Sequence, residues 1–277
     1  MRIPAANEPA RFLEYARTHM ERMGSKYGGW VFLPMLLTRS SIVYSVGLGV
    51  DISWDLELIE RTGVAVHGFD DTPTSNRKFA LWEKQKICGH NSSKLAGTCA
   101  SRGFHRHPWL LAADDGPVEM ALPRGHSASF ADVRTGGRQG FRNSTHTYKA
   151  QARTIGAIMA SLNHTRIDVL KLDIESSELD LFNALLLARG DTPPVSRLPV
   201  CQLLVEWHVR LSPRGYEAKA QAGLALESLG FTLLLNAVHA DSADDAFYVN
   251  SRFCPADYLN RTRVWAQSLR EGPILRA

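Results

Sequence analysis

Apolar positions recur along this chain in two alternating patterns, short β-branched runs and longer stripes at helical spacing. Phe12, Ala16, Met20 and Met23 make the first stripe. Asn7 can cap it, Pro9 suits its first turn and Gly24 can end it, which predicts a helix over about Pro9–Met23. After the Gly-rich turn Tyr27-Gly28-Gly29-Trp30, the run Ser41–Val46 is too short for a helix and is closed by glycine, so it reads as a buried strand. A helix over about Trp54–Arg61 stops at Gly63, Ala65–Phe69 is a second strand, and Thr74–Lys86 is helical again. Trp109–Ala113 reads as a third strand and Val118–Leu122 as a short one after the Asp115-Gly116 turn. Gly125–Tyr148 has little periodicity and reads as a loop, a candidate lid.

The second half continues the alternation. Helices are predicted near Thr154–Leu162, Ser177–Ala188, Tyr216–Leu229 and Pro255–Leu269, with strands at Val169–Leu172, Gln202–Val205, Phe231–Leu235 and Ala246–Val249. Strands separated by helices predict a largely parallel sheet covered on both faces. The last two strands lack an intervening helix, so that pair should be antiparallel. No internal repeat or linker interrupts the pattern, and one domain is the simplest reading.

Composition narrows the class without naming a function. With 44% apolar and 22% charged residues in 277, the chain can build a substantial core, which excludes wholesale disorder and small disulfide scaffolds. No stretch reaches the roughly 18–20 apolar residues of a membrane span, and the first residues lack the apolar block of a signal peptide. A soluble, cytoplasmic chain is the default expectation. Four sequons, at Asn91, Asn143, Asn163 and Asn260, together with four cysteines, keep a secretory-pathway lumen open. The spacing of Cys88, His90, Cys99, His105 and His107 fits no standard zinc pattern, and no metal is expected.

The net charge of +4 implies neither a nucleic-acid nor a membrane partner. Its distribution is uneven. Between Lys84 and Arg153 eleven Lys/Arg face four acids, so that segment carries +7 and the remainder −3. Such a segment is either a solvated basic face or the docking surface of an anionic substrate, with Arg124 and His126 as candidate substrate-binding residues.

In a parallel sheet, ligands bind beyond the carboxyl ends of the strands. After the first strand stands Gly47-Leu48-Gly49-Val50-Asp51, a tight turn able to bring backbone close to a ligand, although the third glycine of the dinucleotide fingerprint is absent. Asp70 ends the second strand and is placed to accept ribose hydroxyl protons. Asp114 at the end of the third could meet an adenine amino group or simply serve a turn. Asp173 and Glu175 end the fourth, with Ser176, Ser177 and Glu178 opening a helix. Glu206 and His208 end the fifth, an acid and an imidazole two residues apart.

The stretches Tyr44-Ser45-Val46-Gly47-Leu48-Gly49-Val50-Asp51 and Val66-His67-Gly68-Phe69-Asp70-Asp71-Thr72-Pro73, followed by Ile167–Glu178 and Gln202–His208, resemble the FkbM-type S-adenosylmethionine-dependent methyltransferases. The resemblance runs from about Tyr27 to Val249 with the motifs in the family's order. It implies a Rossmann-like class I methyltransferase fold, a mostly parallel seven-stranded α/β sheet with helices on both faces. Residues 1–40 would be a helical extension packed on a methyltransferase domain of residues 41–277. The implied cofactor is S-adenosyl-L-methionine and the implied reaction is O-methylation of a sugar, glycan or small natural product, with no nucleic-acid partner. Gly47, Gly49 and Asp51 would line the methionine side of the cofactor, Asp70 its ribose, Asp114 its adenine, and Asp173 the methyl region. Glu175, Glu206 and His208 would complete the catalytic set, with His208 or Glu175 as general base. Two departures stand out: Ser176-Ser177 where the family commonly has glycine first, and a longer stretch from Ile87 to His107. An inactive methyltransferase-like binding module and an NAD-dependent oxidoreductase are the alternatives; the Lys171–Glu178 block and the missing glycine weigh against the latter.

Overall fold

A computed structural model describes residues 8–85, 103–121, 131–132, 147–175, 177–187, 198–211, 214–238 and 243–271. The strands of the central sheet are β3 (Ile42–Val46), β4 (Ala65–Phe69), β5 (Phe104–His107), β10 (Ile167–Leu172), β11 (Val200–Trp207), β12 (Thr232–Val238) and β13 (Asp244–Val249). They lie in the order β12-β13-β11-β10-β3-β4-β5. From β11 through β5 every neighbour is parallel, whereas β13 runs antiparallel between β11 and β12. The expected antiparallel closing pair is present. After β3 the chain builds outward through β4 and β5, then returns to the other side of β3 for β10 and β11. The strand order therefore reverses between β3 and β10, the place where an open parallel sheet leaves a crevice for a ligand.

Alternate side chains of the inner strands divide between two cores. Val43, Val66, Val169 and Leu204 pack on one face with Trp54 and Leu58 of helix α2 (Ser53–Thr62). Phe12 and Tyr15 of helix α1 (Glu8–Thr18) lie in the same core, as does Tyr258 of helix α7 (Tyr258–Glu271). Tyr44, Leu170, Leu172 and Leu203 pack on the other face with Ile158 of helix α4 (Ile155–Ser161), Phe182 of α5 (Ser177–Leu187) and Leu226 of α6 (Gly215–Ser228). Strand β10 is buried along its whole length, which is why it reads as an unbroken apolar run apart from Asp168 and Lys171. Helix α3 (Pro73–Gln85) follows β4, and Phe79 from it joins the first core.

Two elements depart from the sequence expectation. The opening helix ends at Thr18, and Glu21–Met23 (β1) instead pairs antiparallel with Trp30–Phe32 (β2). Met23 is buried as expected, but from a strand; its helical spacing from Phe12 is coincidental. Gly24, at φ 89°, turns the chain into the ribbon. The third parallel strand is Phe104–His107 rather than Trp109–Ala113. As the sheet's edge it is largely half-exposed and carries His, Arg and His after its one buried phenylalanine, so it lacks an apolar run.

Leu110–Leu111 (β6) belongs to a second, four-stranded sheet with Gly116–Ala121 (β7), Ala131–Asp132 (β8) and Thr147–Arg153 (β9). Most of the predicted loop Gly125–Tyr148 lies outside the described residues. So do Arg124, His126, Ser176, Cys88, Cys99, Asn91 and Asn143. Cys201 on β11 is joined to Cys254 by a disulfide. Asn163 and Asn260 are exposed. Among the described residues no helix is long and apolar enough to cross a membrane.

Candidate active site

A cleft of about 830 Å³ opens at the carboxyl ends of β3, β4, β10 and β11. That is within the range of roughly 300–1,000 Å³ of small-molecule sites. One wall comes from the second sheet, with Leu111, Val118 and Met120, and the rim from the turn Lys26–Trp30.

The glycine turn after β3 is shaped by two different demands. Gly47 has φ 76°, and a Cβ on it would stand 1.7 Å from the carbonyl oxygen of Asp173, so only glycine lets the two strand ends meet. Gly49 has φ 54° and nothing within 4 Å of its missing Cβ; it faces open space in the cleft. Lys171, buried on β10, donates from Nζ to Gly47 O at 2.9 Å and lies 5.2 Å from the Trp30 ring centroid, tying the turn to the N-terminal ribbon.

Asp70 lines the cleft as expected but is only 3% exposed. The backbone N–H groups of Leu48 and Gly49 both donate to its Oδ2 at 3.0 Å, and Thr72 N–H donates to Oδ1 at 2.7 Å. The carboxylate thus braces the glycine turn, and any ribose contact would use its remaining lone pairs. Asp51 also lines the cleft. Burial would raise its pKa, but hydrogen bonds from Ser25 and Ser53 outweigh that and hold it below the ordinary value. Ser25 Oγ donates to its Oδ2 at 2.6 Å and Ser53 N–H to its Oδ1 at 2.8 Å. Asp114 is exposed and does not line the cleft, because the strand it was expected to end lies one element earlier. Its neighbour Asp115 serves a turn, accepting from Thr154 N–H at 2.7 Å at the start of α4.

The ends of β10 and β11 bring together all four residues expected to be catalytic. His208, 5% exposed, points Nε2 toward Glu175 Oε2 at 3.5 Å, Asp173 Oδ1 at 3.9 Å and Glu206 Oε1 at 4.0 Å. Its Nδ1 lies 3.0 Å from Oε1 of Glu178, a carboxylate with no solvent exposure in the first turn of α5. The same oxygen accepts from Ile174 N–H at 2.8 Å, so the backbone fixes the acid that fixes the imidazole. Sequence reasoning assigned Glu178 only to the helix start; its spacing from Asp173 in the β10 signature was the available signal.

Burial alone would push the His208 pKa down, but Glu178, Glu175 and Asp173 raise it to about 10. Asp173 is raised by burial and by Glu175, against Lys171 and His208, and Glu206 is raised by burial and Asp173. Glu175 itself sits at φ 58°, a left-handed conformation that costs a side-chain-bearing residue about 1–2 kcal/mol. Strain of this kind gathers where a side chain must be aimed. The ligand atoms of Asp173, Glu175 and His208 all lie within 4.8 Å of one another, close enough to share a cation. At the rim, Arg22, Lys26 and the exposed Tyr27 also border the cleft, none of them anticipated from sequence. Partial burial of the hydroxyl, and then Asp173, Glu206 and Glu175, raise the Tyr27 pKa.

A reversed strand order, a glycine turn at the reversal and a titratable cluster beside it define a Rossmann-like α/β fold with a ligand cleft. Residues 16–233 match the Methyltransferase FkbM domain, and the chain belongs to that family. No curated protein matches the chain by sequence. Among solved structures, similarity is found to "Human methyltransferase 10 domain containing protein", at 8% identity and TM-score 0.38, over 92% of this chain and 85% of that one. A second, "delta-N METTL16 MTase domain", is 7% identical with TM-score 0.37, over 90% of this chain and 84% of that one.

Proposed function

We propose that this chain is an S-adenosyl-L-methionine-dependent methyltransferase acting on a hydroxyl of a sugar, glycan or small natural product. The observation that carries the reading is that the Asp173–Glu175–Glu206–His208 cluster and the Gly47–Asp51 turn line one cleft, within a family whose members are methyltransferases. The residues present fit the cofactor. Gly49 leaves open space at the turn, Asp51 and Asp70 offer carboxylates, and the acids of the cleft suit a cationic sulfonium. Gly47, Gly49 and Asp51 would hold its methionine end, Asp70 its ribose, and Asp173 the region near sulfur; apolar Leu111, Val118 and Met120 offer a wall for the base.

When bound, the cofactor supplies an electrophilic methyl group. The protein's tasks are to align an acceptor oxygen with it and to carry away that oxygen's proton. Glu178 locks the imidazole of His208, which is protonated at neutral pH with its pKa raised to about 10, and Glu175, the carboxylate nearest Nε2, is the group that would take the acceptor's proton. Tyr27 at the rim offers a flat surface against which a sugar or aromatic ring can rest, and Arg22 and Lys26 suit an acceptor that carries negative charge.

Calorimetry with S-adenosylmethionine, followed by transfer of labelled methyl to a panel of hydroxylated acceptors, tests the proposal. Binding with transfer is expected. His208→Ala should retain cofactor affinity while lowering turnover at least about 100-fold. Absence of cofactor binding would overturn the reading, and binding without transfer to any acceptor would point to an inactive binding module.

A further inference from the structure

Around His208 Nε2 the same cluster is spaced more widely than hydrogen bonds. Charge-assisted N–H···O contacts close to about 2.7–2.9 Å. His208 Nε2 stands instead 3.5 Å from Glu175 Oε2, 3.9 Å from Asp173 Oδ1 and 4.0 Å from Glu206 Oε1. Ligands about 2.1 Å from a tetrahedral ion lie about 3.4 Å from each other, so these gaps approach the spacing of groups arranged around a small cation. The second observation concerns the imidazole. His208 is 5% exposed, and its far nitrogen is held at 3.0 Å by a carboxylate, Glu178, that has no exposure at all. A histidine whose Nδ1–H is given to a buried carboxylate keeps Nε2 aimed outward, and a cation that displaces the Nε2 proton meets a lone pair already oriented toward it, as in metal-binding histidines. Lys171 opposes the rise of the Asp173 pKa, but its Nζ donates to Gly47 O.

We propose that Asp173, Glu175 and His208, with Glu178 behind the imidazole, bind one divalent transition-metal cation. One nitrogen and several carboxylate oxygens favour manganese, iron or zinc over magnesium and calcium, which take oxygen ligands almost exclusively. Two of the acids and the histidine reach the cleft from different strand ends, so the ion would join β10 to β11 at the crevice. Its role in the reaction, which rests on the methyltransferase reading above, is to bind and orient the acceptor hydroxyl oxygen and ease loss of its proton, with His208 Nε2 and Glu175 then acting as ligands rather than as the direct proton acceptor.

Ion binding is measured without the cofactor. Untagged, chelator-treated protein is titrated with Mn²⁺ and followed by electron paramagnetic resonance, with Zn²⁺ and Mg²⁺ as competitors. One Mn²⁺ per chain is expected, displaced by Zn²⁺ at lower concentration than by Mg²⁺. Glu175→Gln, at a half-exposed position where folding should be unaffected, is expected to weaken binding at least about tenfold, and Glu178→Gln about 10–100-fold. No Mn²⁺ binding at millimolar concentration, or undiminished binding in Glu175→Gln, overturns the site. A protein that binds S-adenosylmethionine but no ion refutes the metal site alone. One that binds the ion but not the cofactor supports the site and refutes the methyltransferase reading.

Discussion

His208 Nδ1 lies 3.0 Å from Glu178 Oε1, and Glu178 has no contact with solvent. An imidazole between one buried acid and three partly exposed ones is held in place by charge, and removing the buried partner leaves it without an anchor. Glu178→Ala should therefore cost about 3–5 kcal/mol of stability, the usual penalty for breaking a buried pair from one side. Loss of the oxygen that receives Ile174 N–H adds to it. Urea unfolding of the variant beside wild type measures this. A change under 1 kcal/mol would show that the pair does not anchor the β10–α5 turn.

Gly47 and Gly49 should respond differently to alanine although both have positive φ. At Gly49 the methyl meets nothing within 4 Å, so Gly49→Ala costs only the backbone strain, about 1–2 kcal/mol. Its larger effect is expected on cofactor affinity, because the methyl occupies cleft space. At Gly47 the methyl would fall 1.7 Å from Asp173 O, and β3 and β10 must separate at their ends. Gly47→Ala should thus lose more stability than Gly49→Ala. Equal losses in urea unfolding would contradict this account.

How much of this was legible beforehand depended on where each residue's partners sit in the chain. Strand β10 was visible because burial on both faces demands apolar residues almost throughout, and Asp173 and Glu175 followed from its end. Strand β5 was missed because an edge strand of Phe, His, Arg and His carries no apolar run, and that displaced Asp114 from the role expected of it. The ribbon of β1 and β2 depends on distant partners. Gln202 in β11 accepts from Leu33 N–H at 2.8 Å and donates back to Leu33 O, a pairing that no local period encodes. For the same reason Tyr27 and Arg22 at the cleft rim were not foreseen, whereas the glycine turn and the Glu206–His208 pair were, because each is a local motif at a strand end.

The disulfide between Cys201 and Cys254 closes a loop with a sequence separation of 53, tying β11 to the segment before α7. Restricting a loop of that size in the unfolded chain stabilises the fold by about 2–4 kcal/mol. Cys254→Ser should lower the urea midpoint accordingly, and a reducing agent should do the same to wild type but not to the variant. Reductant sensitivity that persists unchanged in Cys254→Ser would locate the effect elsewhere.

A set of histidines outside the cleft makes the last expectation, one of pH. His67 Nδ1 is 3.1 Å from His107 Nε2, His105 and His107 stack on the His67 ring, and His164 meets it edge-on while accepting or donating at 2.8 Å with Tyr44 OH. Burial, followed by His164, His107 and His105, lowers the His67 pKa to about 3, and burial lowers those of His107 and His164. In the unfolded chain these groups take up protons near pH 6.5, while in the fold they resist doing so. Their contribution is therefore fully present above about pH 6.5 and is lost as pH falls from there toward 3. Asp55 works in the opposite direction, because burial raises its pKa to about 6, so the whole-protein profile mixes the two. The difference between wild type and His67→Phe isolates the histidine part. Between pH 7 and pH 5 the unfolding midpoint of wild type should fall relative to that of His67→Phe; parallel profiles would show that the cluster is as easily protonated in the fold as in the unfolded chain.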